Sequence, residues 1–345
     1  MLRAMHCYLA MLLIASSLGT LTASDVVPLI FDTDMGNDID DALALGVIHA
    51  LESRGECRLL AVTVSKDNLL AARCCDLINT FYGRAHVPVG LVVDGKKPQD
   101  RKYLPKLVLA TDNGKPRYPH TAVTQRDVPD ATSLLRRVLS TQPDRSVVLV
   151  VVGFSTNMSR LLTSEGDQYS PLDGRALVER KVKLLSMMGG RFGSDRPDGF
   201  TEYNIRTDLD AARQVFVGWP TPIVISGYEI GLSIRYPAES ILNDFNYVAH
   251  HPLKEGYEAY KEMPYDRPTW DLTSVLYAVR PQRGYFGLSA AGLLSVGPEG
   301  YALFRDGEGG PHQYLTVTPE QRIRVREALE MLASQPPNER YSVVR

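Results

Sequence analysis

PLIFDTDMGNDIDDALALGVIHA, Pro28 to Ala50, places five aspartates in the ten positions 32–41, between an apolar run and a run of helical character. Val26 to Asp32 reads as a buried strand and Ala42 to Glu52 as a helix. Gly36 and Asn37 between them permit a sharp turn. Carboxylates are welcome at a helix N-terminus, but capping needs only one side chain. Several close carboxylates repel and raise one another's pKa values unless a cation compensates them. The residues alone leave two readings: a metal site of hard oxygen ligands suited to calcium or magnesium, or a solvated acidic turn.

Working outward, Arg58 to Val64 (RLLAVTV) reads as the next strand, Leu69 to Tyr82 as a helix and Val87 to Val92 as a third strand. Asp94 to His120, rich in Lys, Pro and Gly, reads as a long functional or mobile connection. A helix near Asp130 to Leu139 leads into Ser146 to Val152, the clearest central strand. Val182 to Met188, Leu209 to Phe216 and Pro222 to Ser226 continue the alternation, and Thr273 to Val279 and Pro319 to Ala333 look helical. This pattern predicts an α/β fold with an open, mostly parallel central sheet flanked by helices. Ligand crevices in such sheets lie at the C-terminal ends of the strands, where the aspartates of positions 32–41 fall.

At 345 residues, 44% hydrophobic and 23% charged, the chain can bury a large core and is not of disordered composition. A formal charge of -2 gives no electrostatic case for a nucleic-acid polymer or an anionic membrane as partner. A small molecule is the better expectation. Residues 1–23 have a basic Arg3, an apolar Tyr8 to Ala15 and small residues toward Ala23, the layout of a signal peptide cleaved near Ala23 and Ser24. The apolar centre is shorter than the roughly 20 residues that span a bilayer. The expectation is a secreted or periplasmic protein without a stable membrane span after processing, with residues 24–345 as a single domain. Cys7 lies in the leader. Cys57, Cys74 and Cys75 are an odd set without metal-like spacing and read as buried thiols.

DTDMGNDIDDALAL resembles the N-terminal signature of the inosine-uridine nucleoside hydrolase family, DTDxGxDDxxAL, with two extra residues between the glycine and the paired aspartates. AVTVSKDN (Ala61 to Asn68), VVVGFSTN (Val150 to Asn157), MMGGRFGSDRPDGFTEYNIRTDLDAA (Met187 to Ala212) and WDLTSVLYAV (Trp270 to Val279) resemble further family segments in the family's order. The resemblance implies a nucleoside hydrolase-like fold and calcium-dependent hydrolysis of the N-glycosidic bond of a ribonucleoside, releasing ribose and free base. It implies calcium (Ca2+) held by Asp34, Asp41, the main-chain carbonyl of Val152, and Asp271, with Asp34 also the base that deprotonates the attacking water. It implies ribose contacts from Asp40, Asn68, Glu202 and Asn204, with Met188 near the sugar, and a homodimer or homotetramer.

The chain also departs from the family pattern. The two-residue insertion adds Asp38. Trp270 stands where many members carry a histidine that acts as leaving-group acid; it resembles the base-stacking tryptophan of purine-specific members, so purine nucleosides are the expected substrates. Arg196, beside Asp195, replaces an asparagine, and GYE (Gly227 to Glu229) replaces GLD. Two alternatives stay open: a hydrolase of another ribosyl compound such as nicotinamide riboside, or a calcium-dependent nucleoside- or sugar-binding module with weak or no turnover.

Overall fold

The computed structural model describes residues 26–99, 103–121, 124, 127–193, 197, 199–307 and 309–338. The leader read in residues 1–23, with Cys7, and the Asp195–Arg196 pair lie outside the described residues.

The apolar run that opens the signature forms strand β1, Val27–Thr33, and helix α1 begins seven residues later as Asp40–Ser53. Strand β2 (Cys57–Lys66), helix α2 (Leu69–Phe81) and strand β3 (Val89–Lys96) follow. The central sheet has eight strands in the order Gly287–Leu288, Gln313–Thr316, Ile223–Ser226, Val182–Met188, Val147–Val151, β1, β2, β3. All neighbours are parallel except Gly287–Leu288 against Gln313–Thr316. This is the mostly parallel α/β sheet that the alternation predicts.

From β1 the chain steps to β2 and β3 on one side, and later from Val147–Val151 to Val182–Met188 and Ile223–Ser226 on the other. The order therefore reverses between β1 and Val147–Val151, and the loops leaving these two strands diverge into a crevice. The Asp34 loop leaves one strand and Val152 leaves the other. Val147–Val151 is buried throughout, as VVLVV covered on both faces requires.

One face of the sheet packs on α1 and the Trp270–Val279 helix through residues such as Leu45, Ile48, Leu272 and Val275. The other packs on the helices Ala131–Ser140, Thr156–Thr163 and Leu209–Gly218. Cys57, Cys74 and Cys75 are buried free thiols. No helix of the described residues is long and apolar enough to cross a membrane.

Several short elements depart from the expectation. The connection after β3 contains the helix Tyr103–Val108 and a small hairpin of Thr111–Asp112 with Lys115–Pro116. That helix forms because Tyr103, Leu104, Leu107 and Val108 bury one face, and the Tyr103 hydroxyl donates to the Asp38 carbonyl at 2.8 Å. A hairpin of Gly292–Val296 with Ala302–Asp306 is likewise additional.

Two buried histidines set a pH dependence. His49 stacks on Tyr82 at 4.8 Å and bonds Asn79 Oδ1 at 2.9 Å, and His251 bonds the Tyr247 hydroxyl at 2.6 Å among Phe81 and Phe245. Burial, aided by Arg84 at His49 and Lys254 at His251, pushes both down from 6.5 to about 3. A depressed folded value means the neutral rings contribute fully above about pH 6.5, and that contribution is lost as pH falls toward 3. At pH 5 each histidine costs about 2 kcal/mol. Buried carboxylates titrate in the opposite sense, so a comparison isolates the effect. Between pH 7 and pH 5, denaturant unfolding of His49→Gln should lose about 2 kcal/mol less than the unsubstituted protein does; parallel curves would remove His49 from the account.

Candidate functional site

Backbone proximity builds the site first. Val152 N donates to the Asp32 carbonyl at 2.8 Å, and Gly153 follows. A Cβ on Gly153 would stand 2.4 Å from both Asp34 N and Ser65 Oγ, so only glycine lets these loops meet. Asp32 is a buttress: its Oδ2 accepts from Thr63 Oγ1 at 2.6 Å and Asn157 Nδ2 at 2.7 Å, tying β1 to β2 and to the Thr156–Thr163 helix. Burial pushes its carboxyl up to about 7 despite these donors.

The loops enclose a cavity of about 590 Å³ at the strand ends. Its lining has an acidic group, Asp34, Asp38, Asp40, Asp41 and Asp271, together with Val152, Met188, Glu202 and Asn204. It also has an aromatic group, Tyr228, Trp270 and Tyr260, together with Arg267 and Gln99.

Within the acidic group, Asp41 Oδ1 accepts from Thr33 Oγ1, and Asp40 Oδ2 accepts from Asp271 N at 3.2 Å, which locks the start of the Trp270–Val279 helix to the start of α1. Asp34 Oδ2 accepts from Asn37 Nδ2, and Asn37 Oδ1 accepts from Lys66 Nζ at 2.9 Å. Lys66 is fully buried, at 0% exposure. Glu202 caps the helix Tyr203–Thr207 by accepting from Asn204 N at 2.8 Å and Ile205 N at 3.1 Å. Asn204 Nδ2 donates to the Val152 carbonyl at 2.7 Å. One glutamate thus orders a helical turn that presents an asparagine to the other lip of the crevice.

The electrostatics are those of excess negative charge. Burial first, then Asp38 and Glu202, push Asp34 up to about 7, against Asn37 and Lys66. Burial first, then the like charge of Asp38 at Asp40, of Asp34 and Asp38 at Asp41, and of Asp40 and Asp41 at Asp271, hold these three well above the ordinary carboxylate value. Carboxylate oxygens of Asp38, Asp40 and Asp41 lie within 4.8 Å of one another. Four buried acids with one buried ammonium beside them, and a donor set entirely of oxygen, fit a hard divalent cation. Asp38 is the member least free to join, because Arg267 Nη2 donates to it. Burial works against the Asp38 charge, but the Asp40 contact and Arg267 outweigh it and lower its pKa.

In the aromatic group Trp270 stacks on Tyr228 at 5.2 Å and 26°, and its Nε1 donates to the Tyr228 carbonyl at 2.9 Å. Gly231 permits this: a Cβ there would meet the Trp270 Cα at 2.4 Å.

Of the residues to which the resemblance gives a metal, catalytic or substrate role, all but Asn68 line this cavity. Asn68 is the N-cap of α2, its side chain accepting from Leu70 N at 2.8 Å. Two residues earlier, where β2 ends, the chain turns Lys66 toward the acidic cluster instead. Lys66, Asn37 and Arg267 were not legible as site residues. The available signal for Lys66 was a lysine closing an otherwise apolar strand; Arg267 gave none.

An open parallel sheet with an acidic and aromatic cavity at its switch point defines an α/β site for a small polar ligand bearing a ring. Comparison with known proteins narrows this. The sequence model of the inosine-uridine preferring nucleoside hydrolase family matches residues 29–326. The chain belongs to that family. A pyrimidine-specific ribonucleoside hydrolase of Shewanella sp. (strain MR-4) is 29% identical over 210 residues, spanning 59% of each chain. The inosine-uridine preferring nucleoside hydrolase of Crithidia fasciculata is 28% identical over 193 residues, 54% of this chain and 56% of that one. The chain thus spans about three fifths of the length of the curated relatives it matches. Among solved structures, the inosine-uridine preferring nucleoside hydrolase of Bacillus anthracis shares the fold, with a TM-score of 0.67, 20% identity, and coverage of 90% of this chain and 99% of that one.

Proposed function

We propose that the protein is a calcium-dependent hydrolase of the N-glycosidic bond of ribonucleosides. The observation that carries this reading is one cavity lined both by buried oxygen donors and by a stacked aromatic pair. Asp34, Asp41, the Val152 carbonyl and Asp271 would hold the calcium. Bound there, calcium would supply positive charge for the vicinal hydroxyls of ribose and make a neighbouring water more acidic.

Asp40, Glu202 and Asn204 would orient the sugar, with Met188, whose sulfur lies 3.5 Å from Asn204 Nδ2, beside it. Asp34 takes the proton of the attacking water. The water oxygen bonds to the anomeric carbon while the carbon–nitrogen bond breaks, and its electron pair leaves with the base. Positive charge gathers on the ribose as in other glycosyl transfers, and the surrounding carboxylates stabilise it.

The Trp270–Tyr228 pair supports a stacked base and, by its area, a purine. Trp270→Ala should lower kcat/KM for inosine by about tenfold or more and for uridine by less; equal losses with a lower unfolding midpoint would make Trp270 a packing residue. The reading itself is tested by incubating the protein and calcium with inosine, adenosine, uridine, cytidine and nicotinamide riboside and resolving free base by chromatography. Release from a ribonucleoside supports it. Release from nicotinamide riboside alone shifts the substrate class, and binding without release from any of them, at micromolar protein, makes the chain a binding module.

A further inference from the structure

Resting on that reading, we propose that Arg267, clamped by Asp38 between the rings of Tyr260 and Trp270, stabilises the departing base by hydrogen-bonding to its acceptor edge as negative charge builds there.

Arg267 lies three residues before Trp270 and lines the same cavity as Trp270, Tyr228 and Tyr260. Its guanidinium carbon stands 5.0 Å from the Tyr260 ring centroid and 5.0 Å from that of Trp270. Two aromatic faces and one carboxylate therefore fix the plane of the group. Asp38 is its only hydrogen-bond partner among the described residues, reached through Nη2. A guanidinium carries five N–H donors and no acceptor, so Nη1 remains unspent on the protein. The side chain keeps 19% of its exposure, which leaves it reachable from the cavity. Such a group selects ligands that present lone pairs, as the carbonyl and ring-nitrogen edges of nucleobases do.

The charge state suits this role. Burial works against the guanidinium charge, but Asp38 and Asp40 outweigh it and hold the group protonated. Arg267 therefore keeps its proton throughout. Water oxygen bonds to the anomeric carbon, the carbon–nitrogen pair passes to the base, and the base nitrogen is protonated from solvent, replacing the proton that Asp34 takes. Among the described residues no imidazole lines the cavity to act as acid. Asp38 is a positioning residue: it acts through Arg267, which gives the two-residue insertion that brings it into the loop a use.

The test separates leaving groups that need help from one that does not. The protein, Arg267→Gln and Asp38→Asn are assayed with calcium on inosine, uridine and 4-nitrophenyl β-D-ribofuranoside, whose nitrophenolate departs unaided. Arg267→Gln should lower kcat on the nucleosides by on the order of 10²-fold while changing nitrophenyl riboside cleavage by less than about threefold; that retained activity also reports that the variant is folded. Asp38→Asn should show the same split with a smaller loss, about tenfold on the nucleosides. Equal losses on both substrate types in both variants, or nucleoside losses under about threefold, would overturn the proposal. Failure of the unsubstituted protein to cleave any of the three would instead bring down the hydrolase reading, and this proposal with it, before any variant is compared.

Discussion

Asp34→Asn is expected to lower kcat for the best ribonucleoside by about 10³-fold or more, because one carboxylate serves as base and as cation ligand. Its Oδ2 already accepts from Asn37, whose orientation is set by Lys66 on its other side. The remaining oxygen, Oδ1, makes no hydrogen bond to a described residue and is available to the cavity. An asparagine can offer its carbonyl to Asn37 in the same way, so the loop should hold. What it lacks is a basic oxygen and a negative charge. Calcium affinity, measured by calorimetry, should weaken at least about tenfold, while the unfolding midpoint without calcium stays within a few degrees. Near-normal ribose release by this variant would remove Asp34 from the mechanism.

Asp271→Asn should separate function from stability. Burial, followed by the like charges of Asp40 and Asp41, raises the Asp271 pKa well above 3.8. A raised folded value means that the folded state disfavours the ionised form, so the calcium-free protein loses stability as pH rises above 3.8. Neutralising the side chain removes that penalty. At pH 7 in chelator the variant should melt about 2 °C or more above the unsubstituted protein, and the gain should fade toward pH 4. Calcium should reverse the order, because the variant has lost a charged ligand: affinity and turnover should each fall by about 10²-fold. A variant that is both less stable without calcium and fully active with it would show Asp271 to serve only the first turn of its helix. This opposition of stability and activity is expected where like charges are gathered for a purpose.

The parts of the fold legible in the sequence are those whose residues say one thing at every level. VVLVV at Val147–Val151 is β-branched and long enough only for a buried strand. Pro319–Ala333 has a capping box of Thr318 and Gln321 and a proline in its first turn, and it is found where the sequence places it. By contrast the Tyr103–Val108 helix and the Gly292–Val296 hairpin are short, and their signals come from what they cover rather than from local propensity.

The site divides along the same line. Asp34, Asp40 and Asp41 stand out because carboxylates crowd one short stretch after a buried strand, whereas Asp271, far along the chain, is reached only through the resemblance. Arg267 is 229 residues from Asp38 and looks like any arginine until the fold brings the two together. Asn68 carries a second signal: an asparagine just past a strand and just before a helix is also a cap, and its side chain does cap α2.

The account stands most directly on one titration. Protein stripped with a chelator and dialysed free of it is supplied with inosine or another ribonucleoside that it cleaves, and ribose release is followed as calcium is added back. The account predicts almost no release without metal and recovery that saturates at about one calcium per chain, the capacity of one four-oxygen site. Full activity in the metal-free protein would contradict it, because the crowded carboxylates of positions 34–41 would then have to work without the cation that their burial and repulsion call for.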